Sequence, residues 1–251
     1  MTIKKMTFSN NLECYYISSQ EETEFIFSEI FTEQQYLQHG IVINEGDCIF
    51  DVGANIGLFP IFLNQLFHSL KIYCFEPIQP IFEVLSENIH LHSMKNVILF
   101  NYGISSENQD EVIFTFYPNL AGNSTAKPLE KLEQRDGMES LFSQEQVDYF
   151  YQNQEVRGEL RTLSSVINEL EIKTIDLLKI DVEGLEYEVL QGIEENDWMK
   201  IKQIVAEVHN TEGRLEKVEK MLIANGFEIT IEKNNLLSDR FNNLNLYAIR
   251  R

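Results

Sequence analysis

The sequence predicts an α/β fold: a mostly parallel sheet with helices on both faces, ending in an antiparallel hairpin. Three observations predict it. Short apolar strand patterns alternate with helical periods from about Gly46 onward. The stretch IFDVGANIG, Ile49 to Gly57, runs an apolar strand into a glycine turn and a helix start. Two closing strand patterns, FEITIE and NLNLYAIRR, are separated only by a loop.

Residues 1–45 stand apart from this alternation as an N-terminal cap segment. Phe25, Ile26, Ile30, Phe31 and Tyr36 suit a helix lying over the mouth of the sheet, or one that covers an edge of the core. In residues 46–251, CIFDV is the first strand, LFPIFLNQLF an amphipathic helix, KIYCFEP the second strand, IFEVLSENIHLH the second helix and VILFNYG the third strand. EVIFTFY alternates as a strand does, but Leu120 to Glu159 is polar and without a steady period, which marks an insertion or lid over about 118–160. RTLSSVINEL reads as a helix with Thr162 or Ser164 as cap. TIDLLKID is the fourth strand, GLEYEVLQGI a helix, IKQIVAEVH the fifth strand, and EGRLEKVEKMLIANG a helix ended by Gly226.

Composition bounds the function. At 251 residues and 43% hydrophobic, the chain supplies one sizeable core. Its net charge of -20 argues against phosphate-backbone binding, which needs clustered Lys and Arg, so no nucleic acid is expected as substrate. Cys14, Cys48 and Cys74 are few and widely spaced, and read as reduced core residues, not disulfides or zinc ligands. With no signal-length apolar run and no stretch of 18 apolar residues, no membrane partner is expected, a cytoplasmic location is, and the sequon at Asn123 is an unmodified loop.

In open parallel sheets ligands gather beyond the carboxyl ends of the strands. Here those ends present Asp51, Glu76, Asn101, Asp181, Glu183, Glu207 and His209. Any one of them alone could be a turn former or a helix cap. The turn Gly53, Ala54, Asn55, Gly57 brings backbone N–H groups to a helix start, and Glu76, nineteen residues past Gly57, can accept two hydrogen bonds from a ribose diol. That spacing predicts a nucleoside site. GANIG lacks the third glycine of a dinucleotide fingerprint, and no phosphate-cradling G-x-x-x-x-G-K-[ST] occurs.

The pattern D-x-G-x-N-x-G is similar to the first motif of class I methyltransferases, which bind S-adenosylmethionine (SAM). With LLKIDVEGLEYEVLQG (Leu177 to Gly192), CFEP and the alternation between them, the chain resembles the FkbM family of SAM-dependent methyltransferases over roughly Gly40 to His209. K-I-D-V-E-G-x-E is the more discriminating signature. HGIVINEGD, FTFYPN, GNST and IKQIVAEVHNTEGRLE further resemble O-methyltransferase domains of bacterial polyketide and peptide assembly lines. The resemblance implies a Rossmann-like class I sheet, SAM as cofactor, and transfer of methyl to a hydroxyl or enol of a natural-product intermediate, as a small molecule or held on a carrier protein.

For the cofactor, Glu76 is expected to hold the ribose, the Gly53–Gly57 turn to pass beneath the methionine end with Ala54 and Asn55, and Asp51 to fix the turn. Asn101 is expected to read the adenine edge and Asp181 to contribute beside them. Phe75 and Ile78 flank Glu76 as an adenine sandwich or as plain core. For catalysis, His209 is expected to take the hydroxyl proton, oriented by Glu183 or Glu207, unless it caps the helix near Thr211. Asp181 and Glu183 share a face and with His209 form an alternative magnesium site, although no fixed ligand spacing points to a metal. Lys179 offsets a neighbouring carboxylate, and Lys127, Lys131 and Arg135 are the candidate docking patch for an acidic carrier. Competing readings are transfer to a sugar, lipid or amine, a SAM-binding module without catalysis, and a nicotinamide oxidoreductase.

Overall fold

The chain is described by a computed structural model; the structure describes residues 2–138, 142–233 and 243–250. Strands β1 (Lys4–Thr7) and β2 (Glu13–Tyr16) pair antiparallel at the start of the chain. The sequence reading missed this hairpin, because four-residue strands are too short for alternation to register. Helix α1 (Gln20–Phe27) follows, capped by the Ser19 hydroxyl, which accepts from the Glu22 N–H. It passes into a π-helical turn, Ser28–Thr32, and a 3-10 turn, Gln35–Leu37, so the helix expected over this stretch is three short pieces. Gln34, with φ at 50°, breaks the run.

The alternation then unfolds much as its pattern predicts: β3 (Cys48–Val52), α2 (Leu58–Leu66), β4 (Lys71–Phe75), α3 (Gln79–Leu91) and β5 (Val97–Phe100). The third strand ends earlier than expected. Past Asn101 the chain leaves the sheet as β6 (Gly103–Ile104) and returns as β7 (Gln109–Phe116). Helices α4 (Glu130–Met138) and α5 (Gln144–Phe150) lead to β8 (Gln154–Arg161), which joins β6 and β7 in a separate three-stranded sheet. QEVRGELR hides this strand from a reading by hydrophobic period, since most of its side chains meet solvent.

Thr162, not Ser164, caps α6 (Leu163–Glu169), its hydroxyl accepting from the Ser165 N–H. There follow β9 (Leu177–Ile180), α7 (Glu186–Gln191), β10 (Gln203–His209), α8 (Arg214–Ala224), β11 (Glu228–Lys233) and β12 (Asn243–Ile249). The loop between β11 and β12 and positions 139–141 of the insertion lie outside the described residues.

The main sheet has the order β11-β12-β10-β9-β3-β4-β5, with β12 antiparallel to both its neighbours and the others parallel. Successive residues feed opposite faces: Ile49 and Ile72 pack into one core, Phe50 and Tyr73 into the other, which is why helices cover both sides. Burying each such side chain stabilises the fold by about 1.5–3 kcal/mol. Chain order reverses between β3 and β9, and there the two following turns touch. Gly53 has φ at 80°, and a Cβ on it would lie 1.7 Å from the Asp181 carbonyl oxygen. Gly53→Ala is therefore expected to cost about 3 kcal/mol or more, read as a lower urea midpoint. Unchanged stability would contradict the close approach.

Candidate active site

Beyond the carboxyl ends of β3, β4, β9 and β10 lies a cavity of about 450 Å³, within the range of about 300–1,000 Å³ usual for small-molecule sites. Its roof comes from α1 and the π-helical turn on one side, and from the Leu120–Ala126 loop, α4 and α5 on the other. Glu22 joins the two halves, one carboxylate oxygen accepting from Ala121 N–H at 3.1 Å and the other from Gly122 N–H at 2.8 Å.

The turn after β3 differs from its expected role. Gly53 and Ala54 both donate to the Phe75 carbonyl, Asn55 to Glu76 Oε2, Ile56 to Asn55 Oδ1, and Gly57 to the Ala54 carbonyl. Its amides are engaged within the protein, so it offers a ligand close backbone approach and not a set of bare donors. Glu76 stands at the end of β4, buried in the cavity wall, accepting from Asn55 N–H at 3.1 Å and Ile78 N–H at 3.0 Å. Burial pushes its carboxyl up to about 7. Ile78 lines the cavity beside it, whereas Phe75 is core.

Two expected cofactor contacts are placed elsewhere. Asn101 donates to the Glu76 carbonyl at 2.9 Å and does not belong to the cavity lining. Asp51 is fully buried behind the wall, 3.0 Å from the Lys179 ammonium. Lys179 also donates to the Gly53 carbonyl at 2.7 Å and lies 3.5 Å from Asp181. Burial works against its charge, but Asp51 and Asp181 outweigh it and raise the pKa. Asp181 does face the cavity, where it accepts from Tyr36 Oη at 2.9 Å. Tyr36 links the N-terminal segment to the sheet and was passed over as a site residue, because an aromatic at helical spacing reads as core.

His209 holds the largest departure from expectation. It is 5% exposed and absent from the cavity lining. Its Nδ1 lies 2.8 Å from Glu186 Oε1 and its Nε2 3.0 Å from Glu183 Oε2. Burial alone would lower its pKa, yet the two carboxylates raise it well above the ordinary imidazole value. His209 is therefore enclosed between two carboxylates that favour its charged form, outside the cavity lining where a base for the acceptor would stand. Glu183 is the counterpart: burial raises its pKa, but His209 and then Lys131 overcome this and hold it at about 2. Glu186, the last residue of the K-I-D-V-E-G-x-E signature, had no role in the sequence reading; Arg214 Nε lies 3.4 Å from its Oε2.

This network also claims the candidate carrier patch. Lys131 is 3% exposed and pairs with Glu183, Lys127 pairs with Glu188, and Arg135 donates to Asp148 at 2.7 Å. Arg214 Nη2 grips both oxygens of Glu130 at 2.8 and 2.7 Å. Lys127 and Lys131 fasten the insertion to the body of the protein, Arg135 ties α4 to α5 within it, and the three do not form an open basic surface. Glu207 lines the cavity, its Oε1 accepting from Asn243 Nδ2 at 2.7 Å. Burial, then Asp181, push its carboxyl up to about 8. Among the described residues no group of three or more His, Cys, Asp or Glu side chains is arranged to hold a metal. No described helix is long and apolar enough to cross a membrane, and the three thiols are free.

A parallel sheet closed by an antiparallel hairpin, with an acidic cavity at its switch point, defines the class I methyltransferases. Residues 51–229 match the methyltransferase FkbM domain, and the chain belongs to that family. It is 34% identical over 226 residues, 86% of each protein, to a 31-O-demethyl-FK506 methyltransferase from Streptomyces tacrolimicus. It is also 34% identical over 252 residues to the AMB antimetabolite synthetase AmbE of Pseudomonas aeruginosa, covering 91% of this chain and 12% of that protein. A crystal structure of a methyltransferase FkbM from Methylobacillus flagellatus KT shares the fold with a TM-score of 0.57 at 13% identity, over 85% of this chain and 46% of that one.

The buried charges set a stability profile. Glu183, held low, contributes stability present above its ordinary range near 4.5 and lost as pH falls toward 2. His209, held high, contributes stability present below about 6.5 and lost as pH rises through its folded value. His209→Gln is expected to cost about 3–5 kcal/mol of unfolding free energy at neutral pH and to flatten the loss below pH 4.5, measured by denaturant titration across pH. An unchanged acid limb would refute the pairing.

Proposed function

We propose that this methyltransferase moves a methyl group from SAM to a hydroxyl or enol oxygen of a natural-product intermediate, free or tethered to a carrier protein. The observation that carries the reading is Glu76: a buried carboxylate in the cavity wall with only two backbone donors, its charge disfavoured by burial. A ribose diol supplies the two further hydrogen bonds that the ionised form lacks. The cavity wall also fits a cationic ligand. Glu21, Glu22, Glu29, Glu76, Asp181, Glu183 and Glu207 line it, against one ammonium, Lys179, held by Asp51, Asp181 and Gly53. Bound there, SAM supplies a methyl carbon activated by a sulfonium.

In this reading Glu76 holds the ribose, Ile78 and Ile81 flank the base, the Gly53–Gly57 turn with Ala54 and Asn55 lies under the amino-acid end, and Asp181 faces its ammonium. Asp51 acts from behind by fixing Lys179 against the turn. Residues 1–45 serve as a cap and the insertion as a lid. Together they present Phe25, Ile26, Ile30, Met138, Phe142 and Phe150, an apolar chamber for the body of the acceptor. In-line displacement gains most of its rate from holding oxygen and methyl carbon close and aligned, and such a chamber supplies that. The names of the two relatives, an FK506-type methyltransferase and an antimetabolite synthetase, support a natural-product acceptor.

Incubation with SAM and a panel of hydroxylated polyketide and peptide intermediates, followed by mass spectrometry, tests the reading. It stands if one acceptor gains a methyl group on oxygen and falls if methyl appears only on nitrogen or carbon. Glu76→Ala is expected to weaken SAM binding about a hundredfold or more by calorimetry, since two bonds to a charged acceptor are lost. In the wild type the donor groups favour the ionised carboxylate. SAM affinity should therefore level off above pH 7 and fall about tenfold per unit below it.

A further inference from the structure

With His209 enclosed between Glu183 and Glu186 and outside the cavity lining, methyl transfer still needs a group to take the acceptor's hydroxyl proton. We infer that Glu207 takes it and that Asn243 positions the receiving carboxylate, an inference that rests on the proposed methyl transfer and sharpens it. Both residues line the cavity and both are buried, Glu207 to 8% exposure and Asn243 to 9%. They come from adjacent antiparallel strands, with Asn243 directly opposite His209 in the β10–β12 register.

The Asn243 amide meets two neighbours with one nitrogen. Its Nδ2 donates to Glu207 Oε1 at 2.7 Å and also lies 3.2 Å from His209 Nε2. His209 Nε2 stands between this amide and Glu183 Oε2, at 3.2 and 3.0 Å. Asn243 Oδ1, meanwhile, is buried without a partner. The arrangement gives an ionised Glu207 a donor and leaves one buried acceptor unpaired. Once Glu207 is protonated, rotation of the amide brings Oδ1 to the same place. There it accepts from the Glu207 hydroxyl. The Asn243 amide can therefore bond Glu207 in either protonation state, as donor to the carboxylate or as acceptor from the acid.

The step balances. The O–H bond breaks and its proton goes to Glu207. The oxygen's electron pair forms the bond to the methyl carbon, and the carbon–sulfur bond breaks with its pair going to sulfur, leaving a neutral thioether. Glu207 returns its proton to water when the cavity opens. Around Glu207 stand Asp181 and Glu183 from the turn after β9, Glu29 from the π-helical turn, His209 on its own strand, and Tyr36 and Tyr247. Burial first, then Asp181, raise the Glu207 carboxyl to about 8, a range that suits proton uptake, whereas Glu183 at about 2 holds no proton near neutrality.

Sinefungin tests this without an acceptor, because it carries an ammonium where SAM carries its methyl group. Calorimetry compares it with S-adenosylhomocysteine, which has nothing at that position. At pH 8 sinefungin is expected to bind the wild type at least tenfold tighter, and this advantage should fall below threefold in Glu207→Gln. Near pH 7, wild-type binding of sinefungin should release about one proton more than binding of S-adenosylhomocysteine, which shares the Glu76 contact, read from the dependence of the heat on buffer. That measurement serves even if the variant does not fold. Asn243→Leu removes the donor to Glu207 and should move the pH midpoint of the sinefungin advantage up by about one unit or more. If S-adenosylhomocysteine fails to bind, the proposed function itself falls. If it binds but sinefungin gains nothing, releases no more protons than S-adenosylhomocysteine, or keeps its advantage in Glu207→Gln, the assignment of Glu207 is overturned. An unmoved midpoint in Asn243→Leu overturns the role of Asn243.

Discussion

The architecture of the site depends on one close approach. The backbone of Gly53 lies against the Asp181 carbonyl so tightly that any side chain there would overlap it. That contact draws the turns after β3 and β9 together at the point where strand order reverses. It also lets Lys179 bond the Gly53 carbonyl while standing between Asp51 and Asp181. The cavity opens beside this junction, and Glu76 reaches it from β4 because Asn55 in the same turn donates to its carboxylate. A bulkier residue at position 53 would part the strands' ends and disperse the side chains that meet there.

Electrostatics then divides the carboxyl groups into two kinds. Glu183 and Glu186 face His209, Lys131 and Arg214 in a buried ionic cluster, and their charge is held there. Glu76 and Glu207 face the cavity with few cations near them, so burial dominates and their carboxyls sit near 7 and 8. Groups of one chemistry are thus set to different tasks by their surroundings. The clustered acids hold the insertion to the sheet through Lys131, and Glu130 on α4 does the same through Arg214. The cavity acids remain sensitive to what binds.

Much of the fold was legible because long apolar periods announce buried strands and helices. CIFDV coincides with β3, and the parallel core with its closing antiparallel strands follows the alternation. Short or solvent-facing elements were not legible. The β1–β2 hairpin is too brief to show a period, and β8 carries polar side chains on a strand secured by pairing with β7. In the site, Glu76, Asp181, Glu183 and Glu207 were reached by their position at strand ends, and all four line the cavity. His209 was reached by the same logic but given a different task, since nothing local reveals that Glu186, 23 residues earlier in the chain, meets its ring.

The sequence by itself determined the parallel sheet, the glycine turn at the switch point and the set of acids at the strand ends, because each is written in local spacing and residue type. Only the tertiary structure decided which acids face buried cations and which face the cavity, that His209 is enclosed between two carboxylates, and that Asn243 lies between it and Glu207. The reason is that a pKa and a hydrogen-bond partner depend on desolvation and on charges a few ångströms away, and those neighbours arrive from remote parts of the chain.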